Sequence, residues 1–208
     1  MQFKNRAEAG KKLAEVIKEE GLEADLVLAI PRGGLPIGRE VANALNARLD
    51  VLGVSKISAP ANPELALGAV TGDGIYYLNK DIINRTGIQS QYLDETIQIE
   101  AQNASKKEKY IRKDKPPEAV EGKNIIIVDD GLATGATAKV ALESIRDSNP
   151  RKIIFASPVA SKNSIKLLQG DADDLIILET PEDFTSVGQF YREFPQLSYE
   201  QAHEYLEK

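Results

Sequence analysis

Short, uninterrupted runs of apolar residues recur along the chain, and a stretch with helical spacing follows most of them. Residues 125–128 form the clearest run, with four β-branched residues in succession. An apolar run of this length without polar alternation is typical of a strand buried on both faces of a parallel sheet. The strands predicted in this way are 25–30, 49–54, 125–128, 152–157 and 174–178.

Between these runs, apolar residues lie three or four positions apart, which is the spacing of an amphipathic helix. In the first such segment Leu13 and Ile17 share one face, and Gly21 is a typical C-terminal stop. The predicted helices are 5–21, 36–45, 90–112, 137–148, 161–169 and 198–206, and a hairpin is predicted at 66–78. Strands that alternate with helices predict an α/β fold, in which a parallel, twisted sheet is flanked by helices.

Composition narrows the classes of function. The chain has 208 residues, which is enough for one domain with a sizeable core. Its net charge of −6 argues against sequence-independent nucleic-acid binding, which needs a basic surface. Cysteine is absent and His203 is the single histidine, which excludes thiol nucleophiles, disulfides and His-rich metal sites. No segment is typical of a signal peptide or a membrane span, so we expect a cytoplasmic protein.

The candidate chemistry follows the run at 125–128, where two adjacent carboxylates, Asp129 and Asp130, precede a loop of small residues. A strand, a Gly-rich turn and a helix N-terminus together form an anion site, because backbone N–H groups converge there and the helix dipole favours negative charge. The loop lacks the Lys of a Walker A motif and the third Gly of a dinucleotide fingerprint. Acidic residues beside a phosphate cradle indicate sugar hydroxyls or a metal, and the alternative is that they merely cap the helix.

The thirteen residues 125–137, IIIVDDGLATGAT, resemble the motif that binds 5-phosphoribosyl 1-pyrophosphate (PRPP) in type I phosphoribosyltransferases. The resemblance implies a single domain over 1–208 with a Rossmann-like core and a small hood, a helical insert at about 80–118 and a base-side C-terminal segment at about 179–208. It also implies that Asp129 and Asp130 hold the ribose hydroxyls. The implied ribose-5-phosphate site consists of Asp129, Asp130, Gly131, Leu132, Ala133, Thr134, Gly135, Ala136 and Thr137.

A second Gly-rich loop, I-P-R-G-G-L-P-I-G, follows the strand predicted at 25–30. Arg32 supplies a cationic fork suited to phosphate oxygens, and Gly33 and Gly34 let the backbone approach closely. Alone, this loop would be an ordinary turn with a surface Arg. Paired with the acidic motif, it looks like the pyrophosphate-binding loop of the same family, formed by Pro31, Arg32, Gly33 and Gly34. Because ligands bind where parallel strands end, we expect both loops at one edge of the sheet.

Two further regions are assigned through the resemblance. Residues 58–68 would form either a mobile lid over the site or a structured turn, and Lys56 is a candidate phosphate or pyrophosphate contact. In the C-terminal segment, Phe184, Phe190 and Tyr191 are candidates for a base-stacking wall. The alternative for each of these aromatic residues is a place in the core.

These assignments predict a phosphoribosyltransferase that transfers the phosphoribosyl group from PRPP to a nitrogenous base, a purine or a pyrimidine, and releases pyrophosphate. Its predicted catalytic residues are Asp129, Asp130, Arg32 and Lys56. Mg²⁺ is the expected cofactor, held through PRPP near Asp129 and not by a dedicated protein site. The expected partners are PRPP and the base, without membrane or nucleic acid, and a homodimer is compatible with the sequence. Two alternatives stay open: a PRPP-sensing regulator that binds RNA or DNA, and a nucleotide-binding or hydrolase domain of another type.

Overall fold

Eight strands form two sheets in the computed structural model, which describes residues 2–207. The strands are β1 Leu26–Ala29, β2 Arg48–Val51, β3 Val54–Ala59, β4 Asn62–Thr71, β5 Tyr76–Leu78, β6 Asn124–Val128, β7 Lys152–Val159 and β8 Asp174–Glu179. Five of them form a parallel sheet in the order β2-β1-β6-β7-β8. The parallel sheet confirms the predicted α/β class.

The helices alternate with these strands and begin and end at residues suited to those positions. They are α1 Arg6–Glu19, α2 Gly34–Leu45, α3 Lys80–Thr86, α4 Ser90–Arg112, α5 Ala136–Asp147, α6 Lys162–Leu168 and α7 Tyr199–Glu207, with a 3₁₀ turn at Val187–Phe190. At the start of α1 the Asn5 side chain accepts a hydrogen bond from the Glu8 N–H at 3.0 Å. Within the described residues, every helix is too short or too polar to cross a membrane.

Both faces of the three central strands, β1, β6 and β7, are buried, as their uninterrupted apolar runs require. Successive residues of β1 point to opposite faces: Leu26 and Leu28 pack on the side of α5, and Val27 and Ala29 pack on the side of α1, α2 and α7. The same alternation runs through β6 and β7. This packing fixes the carboxyl ends of β1 and β6 beside each other, because the two strands pair in register from Leu26–Ile125 to Ala29–Val128.

The smaller sheet, β3-β4-β5, is antiparallel and corrects one expectation. The strand predicted at 49–54 is interrupted, because the Gly53 N–H donates to Glu108 and the chain passes from the parallel sheet into β3. Residues 58–68 belong mostly to β3 and β4, which pair across Pro60 and Ala61. Their apolar side chains, such as Ile57 and Leu67, face α4. The hairpin predicted at 66–78 is present as β4 and β5.

Candidate active site

Two Gly-rich loops meet at the carboxyl ends of β1 and β6. The Ile30 N–H donates to the Val128 carbonyl at 2.9 Å, and the chain then turns through a cis peptide bond between Pro31 and Arg32. A Cβ atom built on Gly33 would lie 2.0 Å from Asp130 Oδ2, and one built on Gly34 would lie 2.7 Å from the Val128 carbonyl oxygen. Only glycine permits this contact, so the predicted pyrophosphate loop and the acidic pair are packed directly against each other.

The acidic pair is held by one hydrogen bond to each carboxylate. Asp129 Oδ1 accepts from the Asp130 N–H at 2.8 Å, and Asp130 Oδ2 accepts from Arg6 Nε at 2.8 Å. Burial and the negative charge of Asp130 raise the pKa of Asp129 well above its ordinary value. Burial also raises the pKa of Asp130, although Arg6 opposes that change. The two carboxylates therefore resist carrying two negative charges together.

The loop after the acidic pair leads into an open helix N-terminus. Gly135 adopts a left-handed conformation with φ of 79°, and α5 begins at Ala136. The first hydrogen bond of the helix runs from the Lys139 N–H to the Gly135 carbonyl at 2.9 Å. As at any helix start, the preceding N–H groups have no partner within the helix, and the Ala136 N–H lies 3.5 Å from the hydroxyl oxygen of the exposed Thr134. This end of α5 has the geometry of an anion site.

One member of the predicted phosphate cradle has a different role. The Leu132 N–H donates to the Val159 carbonyl at 2.9 Å, and the Leu132 side chain is 1% exposed. Its carbonyl accepts from the Ser161 N–H at 2.9 Å and from the Ser164 hydroxyl at 3.2 Å. We therefore remove the Leu132 amide from the set of phosphate donors, since it joins the loop to the strand β7. The prediction failed here because a hydrogen bond between distant segments leaves no mark in the local motif.

Arg32 lies at the surface of the first loop and contacts the C-terminal helix. Its guanidinium carbon is 4.9 Å from the centre of the Tyr199 ring, a cation–π distance. Lys56 lies on β3 with an exposed side chain, and no hydrogen bond or ion pair joins it to the described residues of either loop. The structure thus brings Arg32 to the site but does not bring Lys56 into contact with it, and the role of Lys56 stays a prediction.

The aromatic residues of the C-terminal segment are packed, not open. Phe190 and Tyr191 are 8% and 4% exposed and share a cluster with Phe3, while Phe184 is half-buried with its ring 5.2 Å from that of Phe190. The Tyr191 hydroxyl donates to the Asp130 carbonyl at 2.6 Å. Core packing therefore accounts for Phe190 and Tyr191, and Phe184 is the least buried of the three aromatic residues.

Three residues at the site were missed by the sequence reasoning. Arg6 contacts Asp130 across 124 positions of sequence, and Tyr199 contacts Arg32. Val187 packs on the loop itself, because a Cβ built on Gly131 would lie 2.5 Å from Val187 Cγ1. None of the three lies in a local motif, so only the tertiary fold identifies them.

Together, the site and the sheet define an α/β protein with a candidate anion-binding site where two adjacent parallel strands end. Comparison with known proteins gives the family. Residues 2–194 match the phosphoribosyl transferase domain family, and the chain belongs to that family. This finding confirms the resemblance seen in residues 125–137.

The relatives agree with this membership. Two Mycobacterium tuberculosis proteins, from two strains and named provisionally as phosphoribosyl transferases, are 36% identical over 206 residues. The match covers 99% of this chain but 46% of theirs, so the chain spans about half the length of these curated relatives. The crystal structure of TT1426 from Thermus thermophilus has a TM-score of 0.81 at 36% identity, covering 99% of this chain and 98% of that one. A Neisseria gonorrhoeae protein solved with bound ppGpp shares the fold, with a TM-score of 0.55 and 16% identity over 100% of this chain and 97% of that one.

Proposed function

We propose that the protein is a Mg²⁺-dependent phosphoribosyltransferase that moves the 5-phosphoribosyl group from PRPP to a nitrogenous base and releases pyrophosphate. The observation that carries the proposal is the contact between the two loops, in which Gly33 lies against the carboxylate of Asp130. PRPP has phosphates at both ends of one ribose. A site for it needs two anion loops with a hydroxyl-binding group between them, and the contact between the two loops and the acidic pair supports this assignment.

The ribose 5′-phosphate is assigned to the N-terminus of α5. Its donors would be the N–H groups between Ala133 and Ala138, with the Thr134 and Thr137 hydroxyls beside them. The Ser161 hydroxyl donates to the Ala133 carbonyl at 2.8 Å and supports this loop from below. Such preformed donors bind an anion without reorganisation, which is the source of electrostatic stabilisation in an enzyme site.

The acidic pair is assigned to the ribose 2′- and 3′-hydroxyls. One oxygen each of Asp129 and Asp130 is held by a protein donor, which leaves one oxygen of each carboxylate for a ribose hydroxyl. Negative charge beside the ring stabilises the positive character that develops at C1′ as pyrophosphate departs. Burial and Asp130 raise the pKa of Asp129, and hydroxyl donors and cations in the bound state would oppose that shift because they stabilise the ionised carboxylate.

Pyrophosphate is assigned to the loop Pro31, Arg32, Gly33 and Gly34. Arg32, stacked on the Tyr199 ring, would bind phosphate oxygens through its fork. Lys56 is proposed as a second cation at this end. In the described residues, no group of three or more His, Asp or Glu side chains could hold a metal. The acidic pair Asp129 and Asp130 fits Mg²⁺ carried in with PRPP, because Mg²⁺ typically takes one or two carboxylates together with substrate phosphates and water. When bound, it would neutralise charge on the leaving pyrophosphate.

The reaction balances without a covalent enzyme intermediate. The bond between C1′ and the pyrophosphate oxygen breaks, a ring nitrogen of the base bonds to C1′, and the nitrogen loses its proton. The chain supplies position and charge, which together provide most of the acceleration in such reactions. Val187, which lies beside Gly131, and Phe184, which packs in the same cluster, are the residues proposed to face the base.

The test is pyrophosphate release with PRPP, Mg²⁺ and a panel of purines and pyrimidines. Turnover with one base, absent in an Asp129→Asn, Asp130→Asn double variant, would support the enzyme. Tight PRPP binding without release by any base would refute catalysis and favour the PRPP-sensing regulator instead.

A further inference from the structure

Arg6 is a buried guanidinium beside the acidic pair, and the phosphate-binding assignments give it no task. It is the first residue of α1 and is 9% exposed. Its Nε donates to Asp130 Oδ2 at 2.8 Å, and its Nη1 donates to the Pro195 carbonyl at 2.7 Å. Its guanidinium carbon lies 3.8 Å from the centre of the Phe194 ring. An Arg fork engaged on three sides has one orientation, so the Asp130 carboxylate that it binds is also fixed.

Arg6 and the aromatic residues Phe194 and Tyr191 together surround Asp130. The Phe194 ring stacks on Tyr191 with the ring centres 5.0 Å apart. The Tyr191 hydroxyl then donates to the Asp130 carbonyl oxygen at 2.6 Å. Asp130 is thus held through its side chain by α1 and through its main chain by the C-terminal segment. The carboxylate cannot rotate about its side-chain bonds without breaking the ion pair with Arg6.

We propose that Arg6 is a positioning residue, which binds Asp130 Oδ2 so that Oδ1 accepts a hydrogen bond from one ribose hydroxyl of PRPP. The inference rests on the proposed function and deepens it. Without Arg6, either carboxylate oxygen could face the ribose, and Asp130 would place a second uncompensated charge next to the phosphates of a polyanion. Arg6 therefore acts on PRPP through Asp130 and does not touch the ligand.

The competing account is that Arg6 only ties the N-terminal helix to the C-terminal segment. A matched control for that account is Arg39, which also ties a helix to the C-terminal region, since its Nε donates to the Tyr205 carbonyl at 2.8 Å. Arg39 has no described contact with Asp130 or with the loop after β6. Arg39→Met should therefore lower stability while it leaves the affinity for PRPP at the wild-type value.

A double-mutant cycle tests the proposal by calorimetric titration of PRPP with Mg²⁺, with urea unfolding run in parallel. Arg6→Met should raise the Kd for PRPP about ten- to a hundredfold, the range for losing a hydrogen bond to a charged group. Arg6→Lys keeps a cation beside Asp130 Oδ2 but loses the fork that contacts Pro195 and Phe194, so it should raise the Kd by less than Arg6→Met does. In an Asp130→Asn background, Arg6→Met should add little, because its partner is already changed.

Each other outcome has a distinct meaning. An equal loss from Arg6→Met in both backgrounds would overturn the proposal, and so would wild-type affinity in Arg6→Met. If Arg6→Met fails to fold, Arg6→Lys carries the test, and a loss as large as that of Asp130→Asn would overturn the proposal. Absence of PRPP binding by folded wild-type protein would overturn the proposed function, and this inference with it.

Discussion

The contact between Gly33 and Asp130 makes a steric prediction that needs no knowledge of the substrate. Gly33 has φ of −64° and ψ of −32°, a conformation open to any residue, so alanine meets no backbone strain there. The obstacle is the carboxylate, because the added Cβ would lie 2.0 Å from Asp130 Oδ2, 2.5 Å from Cγ and 3.0 Å from Oδ1. Gly33→Ala must therefore displace the Asp130 side chain.

The expected loss of stability in Gly33→Ala follows from these distances. Relief of the contact needs a shift of about 1 Å or more in the carboxylate, which breaks its 2.8 Å ion pair with Arg6. Overpacking of this kind costs about 1–3 kcal/mol. Replacing glycine where the backbone is unstrained returns about 0.4–1 kcal/mol through the unfolded chain. We expect Gly33→Ala to lower the free energy of unfolding by about 1–2 kcal/mol.

The assay is urea unfolding of Gly33→Ala, Asp130→Ala and the double variant. In the Asp130→Ala background the three nearest atoms are gone, so Gly33→Ala should be neutral or slightly stabilising. The coupling energy should then be about 2 kcal/mol. Equal destabilisation in both backgrounds would refute the reasoning, because the strain would then have to come from another neighbour.

Two further predictions concern the charges of the site. Tyr199→Leu removes the ring under Arg32 and should weaken pyrophosphate binding by about 0.5–1 kcal/mol in calorimetry, less than Arg32→Ala does; an unchanged affinity would show that the stack does not orient Arg32. Asp129→Asn should raise the free energy of unfolding, by more at about pH 8 than at about pH 5. The sign follows because burial and Asp130 raise the folded pKa of Asp129, so the wild type loses stability as pH rises from the unfolded carboxyl value through that raised pKa. A gain in the free energy of unfolding that does not depend on pH would contradict this prediction.

The parallel sheet could be predicted from the sequence because its strands are continuous apolar runs between amphipathic helices. The helix predicted at 90–112 has the observed bounds Ser90–Arg112. The strand at 49–54 was wrong because an apolar run does not show that the chain changes sheets at Gly53. The β3–β4 pair was not predicted because residues 58–68 were assigned to a lid or a turn, whereas the positions of Ile57 and Leu67 are set by packing on α4.

Part of the candidate site could likewise be predicted from the sequence, and part could not. The two loops were found from local patterns, since strand, glycine and helix follow one another within each motif. Local patterns could not identify Arg6, Tyr199 and Val187, because these residues reach the loops from distant parts of the chain. The aromatic residues of the C-terminal segment were predicted to form a base-stacking wall. The main contact of Tyr191 is instead with the backbone of Asp130, which it supports. Local sequence thus identifies the parts that would touch a ligand, and the fold identifies those that hold them in place.

The central claim is that the edge of β1 and β6 binds PRPP. The most direct measurement is a calorimetric titration of PRPP with Mg²⁺ into the wild type and into the Asp129→Asn, Asp130→Asn variant. We expect saturable binding by the wild type and loss of binding in the variant. Urea unfolding curves should show that both proteins are folded. Wild-type protein that is folded and binds no PRPP, or a variant that binds as tightly as the wild type, would contradict the account.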